Sequence, residues 1–200
     1  MHWAKEISVD ATDLIISVAN AKEHLRVDTS DDDTLITFYI DAARTYIEEY
    51  LGRTLVPKTL KLHLDRFPYD GQSILIPDSP VVAISSITYV DTNGDTQTWA
   101  SSEYNVDIVS LPSRLETAYN VSYPSTRAQH NAVTITYTAG YDVTAGISLA
   151  PGAIGHAIKL MLGSMYEVRE NDCPAQLYSP SLGFKTLLAP YKLYYRGPWA

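Results

Sequence analysis

Cysteine is nearly absent from this 200-residue chain: Cys173 stands alone, so no intramolecular disulfide and no Cys-rich metal site can support the fold. Charge is sparse too, at 19%, and short of the positive sign, with 15 Lys and Arg against 23 Asp and Glu for a net −8. A body of that sign lacks the basic footprint with which proteins grip duplex DNA or RNA from outside. Long apolar runs are also missing. The most apolar window, 154–166, is broken by Gly155, His156, Lys159 and Gly163, which leaves no membrane-span candidate. The opening MHWAKEISVD lacks the charged start and apolar stretch of a signal peptide. Phe, Trp and Met number only three each, yet there are 15 tyrosines. A tyrosine ring is apolar and its hydroxyl hydrogen-bonds, which suits it to surfaces where proteins meet. With 46% hydrophobic residues the chain has the material for a packed core and not the composition of disorder.

Periodicity divides the chain into helices, strands and helices again. Ser17 is an N-cap for about two turns through Arg26. Ser30 with Asp31, Asp32 and Asp33 opens a second helix, where carboxylates meet the positive end of the dipole. Leu35, Ile36, Tyr39, Ile40, Ala43, Ile47, Tyr50 and Leu51 form its apolar stripe, with Thr37, Asp41, Arg44, Glu48 and Glu49 opposite and Gly52 at the end. After Pro57 the period changes to two: Leu60, Leu62 and Leu64 alternate with polar residues, and Ile74–Ile76, Val81–Val90, Thr96–Trp99, Tyr104–Val109 and Val133–Tyr137 follow. A phase slip at Ser85-Ser86 predicts a bulge and Asn93-Gly94 a tight hairpin; Tyr119–Asn131 is the least regular loop. Ala150-Pro151 begins a helix with Ile154, Ala157, Ile158, Met161, Leu162, Met165 and Tyr166 on one stripe, expected to end near Glu170. A short helix at Leu182–Leu188 stops at Pro190. The expectation is an α+β fold: a helical body with an inserted, mostly antiparallel β-sheet module. Its parts are 1–56 (N-terminal helical), 57–148 (β module), 149–190 (C-terminal helical) and 191–200 (basic aromatic tail). Tyr39, Tyr46 and Tyr166, at helical spacing, read as core.

Catalytic and cofactor motifs are not found. His2, His24, His63, His130 and His156 fall in no known helical metal motif, and Asp28–Tyr39, the length of a calcium loop, has Asp33 where the turn needs glycine and Tyr39 where it needs Glu. There is no nucleophile elbow, no P-loop and no dinucleotide glycine fingerprint. Cys173 lies beside Glu170 and Asp172, which disfavour a thiolate. No catalytic, metal or cofactor-binding residue is assigned and no enzyme is expected. The tail differs from the rest. Residues 177–200 hold Lys185, Lys192 and Arg196 and no acid; the other twelve basic residues face all 23 acids, a net −11 over 1–176. Tyr191, Tyr194, Tyr195, Arg196 and Trp199 together have the composition of a segment that docks on a partner, or of a tail packed on its own domain. A second reading treats the β module as a ligand-binding or carbohydrate-binding unit, with Trp99, Tyr104, Tyr119 and Tyr123 as stacking rings.

Several stretches in order carry a resemblance: Ala21–Asp28, Asp31-Asp32-Asp33, Ala42-Ala43 with Tyr46-Ile47-Glu48, and Gly52-Arg53-Thr54-Leu55. Leu64–Pro68, Ile76-Pro77 with Pro80-Val81, Ile84–Asp91, Ala139-Gly140-Tyr141 and Leu188–Tyr191 continue it. The chain resembles the head-tail connector (adaptor) family of tailed double-stranded DNA phages and of gene transfer agents, with Leu60 where the family often has Trp. The stretches 104–128 and 171–182 match no pattern of the family. The resemblance implies a virion protein assembled in the host cytoplasm. It implies a ring of about twelve copies beneath the portal protein, cyclic with heterologous interfaces. That ring would join the filled capsid to a stopper or tail-completion protein and let DNA pass without sequence-specific binding, with no membrane, cofactor or catalysis. It also implies that the C-terminal segment reaches the portal, which makes Tyr191, Tyr194, Tyr195, Arg196 and Trp199 the portal-interface candidates. An acidic lumen would repel phosphate over about 8 to 10 Å and keep DNA sliding.

Overall fold

The computed structural model describes residues 3–167, 182–194 and 197–198. In chain order the elements are β1 (Trp3–Val9), α1 (Val18–Leu25), α2 (Asp33–Leu51), β2 (Lys58–Leu64), β3 (Ile74–Ile76), β4 (Val81–Val90), β5 (Thr96–Thr98), β6 (Tyr104–Asp107), β7 (Ser113–Thr117), β8 (Val133–Ala139), β9 (Val143–Thr144), β10 (Ile147–Ser148), α3 (Gly152–Glu167) and α4 (Leu182–Leu188). The class is α+β; among the described residues every strand pair is antiparallel, and one parallel bridge joins Leu14 to Ile147. The chain divides into two units, one of Met1–Ala11, Gly52–Gly140 and Leu193–Ala200, the other of Thr12–Leu51 and Tyr141–Lys192. Residues 1–11 thus group with the sheets and 141–148 with the helices, whereas the sequence pattern places 1–56 with the helices and 57–148 with the strands.

The β unit stacks a five-stranded sheet, in the order β1-β2-β8-β4-β5, on a three-stranded one, β3-β7-β6. Alternation makes its core. Leu60, Leu62 and Leu64 on β2 pair with Tyr137, Ile135 and Val133 on β8, all buried, and Ile74, Ile76 and Leu115 of the smaller sheet join them. Each such side chain contributes about 1.5 to 3 kcal/mol on leaving water. The alternate positions Thr134, Thr136 and Thr138 face away, half-buried. The bulge expected at Ser85-Ser86 is present, since the register shifts between Ile84 and Ser86, and a second shift lies between Val81 and Ala83. Nothing in the local pattern announces β1, which pairs with β2 although all seven of its residues are exposed. β7, in a stretch without clear alternation, is likewise defined only by its partners β3 and β6.

In the helical unit α2 packs against α3, α3 against α4, and α1 against both long helices. Ser17 caps α1 by accepting from the Asn20 amide at 3.1 Å. The second helix begins later than the acidic run suggests: Asp33 is its first residue, and Asp31 and Asp32 precede it in a turn. Asp33 is still occupied, by Lys22 at 2.7 Å, and Asp32 accepts from the Tyr166 hydroxyl at 2.5 Å. The stripe Ile36, Ile40, Ala43, Ile47 and Leu51 is buried as expected, but Arg44 and Glu48 are buried with it rather than solvated. Arg44 binds Asp41 at 2.5 Å and lies 3.6 Å from Glu48, so their stems fill the interface while the charged heads remain paired. The three tyrosines read as core are not fully buried: Tyr39 and Tyr166 are half-buried and Tyr46 is exposed. Among the described residues the fully buried tyrosine is Tyr137, on a strand. The expected end of α3 near Glu170 lies outside the described residues, while α4 spans Leu182–Leu188 as the spacing predicts.

Candidate interaction surfaces

Among the described residues no group of three or more His, Cys, Asp or Glu is placed to hold a metal ion, and no helix is long and apolar enough to cross a membrane. His63 illustrates where the polar residues go. It bridges strands, with Nδ1 3.1 Å from the Thr134 hydroxyl and Nε2 3.0 Å from the Glu6 carboxylate.

The rings of the proposed stacking platform are spent on the core. Trp99 is buried, and Phe67 lies 5.2 Å from it edge-on and 5.4 Å from Tyr123 in a stacked arrangement. Tyr104 and Tyr89 close the cluster around them. Tyr123 donates its hydroxyl proton to the Gln72 carbonyl at 2.7 Å, and burial, helped by Glu116 and Asp70, pushes its pKa up to about 12. Of the four candidate rings only Tyr119 is open to solvent, at 92% exposed. A sugar-binding platform of the four is therefore not assembled.

Of the tail residues, Tyr191 is half-buried in a short 3-10 turn, Ala189–Tyr191, and Tyr194 is 82% exposed. Tyr195, Arg196 and Trp199 lie outside the described residues. Lys192 sits over the Tyr50 ring, 4.2 Å from its centroid. Just beyond Tyr194 the chain is tied to the β unit: Pro198 is buried, and its carbonyl accepts from the Leu75 amide of β3 at 2.8 Å.

The turn between β6 and β7 is the other conspicuous surface. Asp107 accepts from the amides of Val109 and Ser110 at 3.0 Å each, from the Ser110 hydroxyl at 2.6 Å and from Arg114 at 2.7 Å. The Ser110 hydroxyl, and next the Arg114 guanidinium, hold its carboxyl far below the usual range. What this rigid frame presents is apolar: Val109 is 88% exposed, with Ile108 and Leu111 nearly half exposed beside it. On β1, Trp3, Ile7 and Val9 are exposed as well. Sequence reasoning missed both surfaces. In the loop the usable signal was Asp107-x-x-Ser110 enclosing apolar residues, a polar clamp around residues that alternation alone assigns to a strand.

Comparison with known proteins gives these features a context. No curated protein matches the chain. Solved structures do, among them three of gene transfer agent particles. One is the neck of an empty GTA particle computed with C6 symmetry, at 22% identity and TM-score 0.74, covering 98% of this chain and 97% of that one. Another is the virion of a native gene transfer agent particle, at 21% identity and TM-score 0.75, covering 96% of each chain. The third is the neck of a native GTA particle computed with C12 symmetry, at 23% identity and TM-score 0.72, covering 98% and 97%. At these identities they establish the fold. The family is established by the sequence itself, because the profile described as phage gp6-like head-tail connector protein matches residues 15–120, more than half of the chain. That match begins just before α1 and ends just past β7, so it spans parts of both units. The chain belongs to the phage gp6-like head-tail connector family, a structural component of the head-tail junction of the virion.

Proposed function

We propose that this protein is one subunit of a ring of about twelve copies that sits beneath the portal and joins the DNA-filled capsid to a stopper or tail-completion protein. The observation that carries this reading is the family match together with one architecture shared over nearly the full length of chains in necks computed with C6 and C12 symmetry. The protein works as a scaffold and not as a catalyst. Its surfaces bind other proteins, and DNA passes through the ring without sequence-specific contacts. A net −11 over residues 1–176 suits that passage, since like charge keeps phosphate from adhering. The portal-facing segment is the tail, where Tyr191, Tyr194, Tyr195, Arg196 and Trp199 combine rings with positive charge.

Electron microscopy of the full chain mixed with its portal tests this reading. The expected result is an additional ring of density on the portal. With Tyr194→Ala, at an exposed position, the added ring should appear on at least about tenfold fewer portals at the same concentration, an effect of hot-spot size. A portal that stays bare at saturating protein overturns the ring, and undiminished binding by the tyrosine variant removes Tyr194 from the portal interface.

A further inference from the structure

The β unit carries apolar groups outside its core on two different flanks. Edge hydrogen bonding identifies them. β1 and β5 are the edges of the larger sheet, β3 and β6 those of the smaller. Leu75 of β3 donates outward to Pro198, and Gly197 beside it approaches the Trp3 indole, so β3 and β1 share a flank. Lys5 of β1 reaches Asp78, just past β3, at 3.0 Å, in agreement. On the other flank Trp99, one residue beyond β5, packs on Tyr104 at the start of β6 with ring centroids 5.0 Å apart.

Each flank has its own apolar surface. On the first, Trp3 and Ile7 lie in register with Leu64 and Leu60, so they continue the face that forms the core, yet Ile7 is 50% exposed. On the second, β6 leads into the clamped loop with Ile108, Val109 and Leu111. A loop already held by five hydrogen bonds around Asp107, Ser110 and Arg114 loses little freedom on docking. Two unlike surfaces on opposite flanks of one unit are what a head-to-tail contact requires, whereas a two-fold dimer would need one self-complementary patch. Copies that each carry a net −8 repel at long range, so apolar contact has to hold neighbours together.

We infer that the occupant of each surface is a second copy of this chain, with the Ile108–Leu111 loop of one subunit seated on the Trp3 and Ile7 face of the next. The inference rests on the ring reading above and adds to it the surfaces that close the ring.

Cross-linking in assembled particles tests it. The full chain, carrying Cys173→Ser to remove its only thiol together with Ile7→Cys and Val109→Cys, is produced with the head proteins it assembles with. Particles are then treated with a short bismaleimide. A ladder of covalent multimers beyond the dimer is expected. Either single-cysteine chain alone should give none, and particles containing both single-cysteine chains should give dimers only. In a second arm, Val109→Asp should leave the fold intact, because the site is exposed, but lower the copies per particle at least about tenfold. Many copies per particle without a ladder, or with Val109→Asp incorporated normally, overturn the surface pair and leave the ring standing. Too few copies of the unsubstituted chain to encircle a portal overturn the ring, and this pairing with it.

Discussion

At residues 91–95 and again at 107–114, an aspartate gathers the amides that follow it. Asp91 accepts from Asn93, Gly94 and Asp95 at 2.9 to 3.0 Å and from the Gln97 side chain, closing the hairpin between β4 and β5. Asp107 does the same for Val109 and Ser110 and adds Arg114. The tips differ in chemistry. Between Asp91 and Asp95 stand Thr, Asn and Gly; between Asp107 and Pro112 stand Ile, Val, Ser and Leu. A polar tip on a clamped turn is explained by the hairpin itself. An apolar tip held rigidly in water costs solvation that the turn does not repay, and this asymmetry marks the second loop as a surface made for contact.

The aromatic cluster anchors the strands that lead into the two loops, through Tyr89 on β4 and Tyr104 at the start of β6, and its loss would erase the difference between them. Phe67 touches Tyr89 on β4, Trp99 after β5 and Tyr123. Replacing this buried ring by alanine should destabilise the protein by about 3 to 5 kcal/mol, as large-to-small core changes do. Urea unfolding would read that loss, and amide exchange should accelerate in both loops together. A cost below about 1 kcal/mol would mean that the cluster is not their common base.

Glycine 94 breaks the comparison from one side only. Its φ of +100° is a region side chains rarely adopt, and an added Cβ would stand 2.6 Å from the Arg127 Nη1. The guanidinium can swing away but the backbone cannot, so Gly94→Ala should cost about 1 to 3 kcal/mol of stability. Assembly, measured as copies per particle, should be unchanged in folded protein. If Gly94→Ala impaired assembly as strongly as Val109→Asp, the 91–95 hairpin would be a contact surface too, and the contrast between the tips would lose its meaning.

The same contrast shows what the sequence can and cannot convey. The β4–β5 hairpin was legible because Asn93-Gly94 is a local signal, and α2, α4, β2 and β8 were legible because their periods are complete within each segment. β1 was not, since Lys5 interrupts Trp3 and Ile7 on the one face and none of its residues is buried; its pairing with β2, 50 and more residues away, defines it. The spacing sets Arg44 and Glu48 opposite the apolar stripe because charge is the default mark of an outer face, and their burial depends on partners supplied by the fold. The connector family was legible from short stretches in order, while the apolar loop was hidden inside the stretch 104–128 that matches none of them.

The smallest effect concerns the two carboxylates. Both are held below their ordinary value in the fold, Asp91 first by Gln97 and then by backbone amides, Asp107 by Ser110 and then by Arg114. A depressed folded pKa supports the fold above the unfolded value of about 3.9 and ceases to do so as pH falls through the folded value. Each loop should therefore keep its amide protection at pH 4, where an ordinary aspartate is half protonated, and lose it only further into acid. Salt separates the two. Every donor to Asp91 is neutral, whereas the Arg114 guanidinium is an exposed cation that ions screen within a few ångströms at about 1 M. Carboxyl titration by NMR at low and at high salt should thus move Asp107 upward while Asp91 barely moves. Equal shifts would mean that Arg114 contributes nothing to the clamp, and the rigidity of the apolar tip would rest, like that of the polar one, on neutral hydrogen bonds alone.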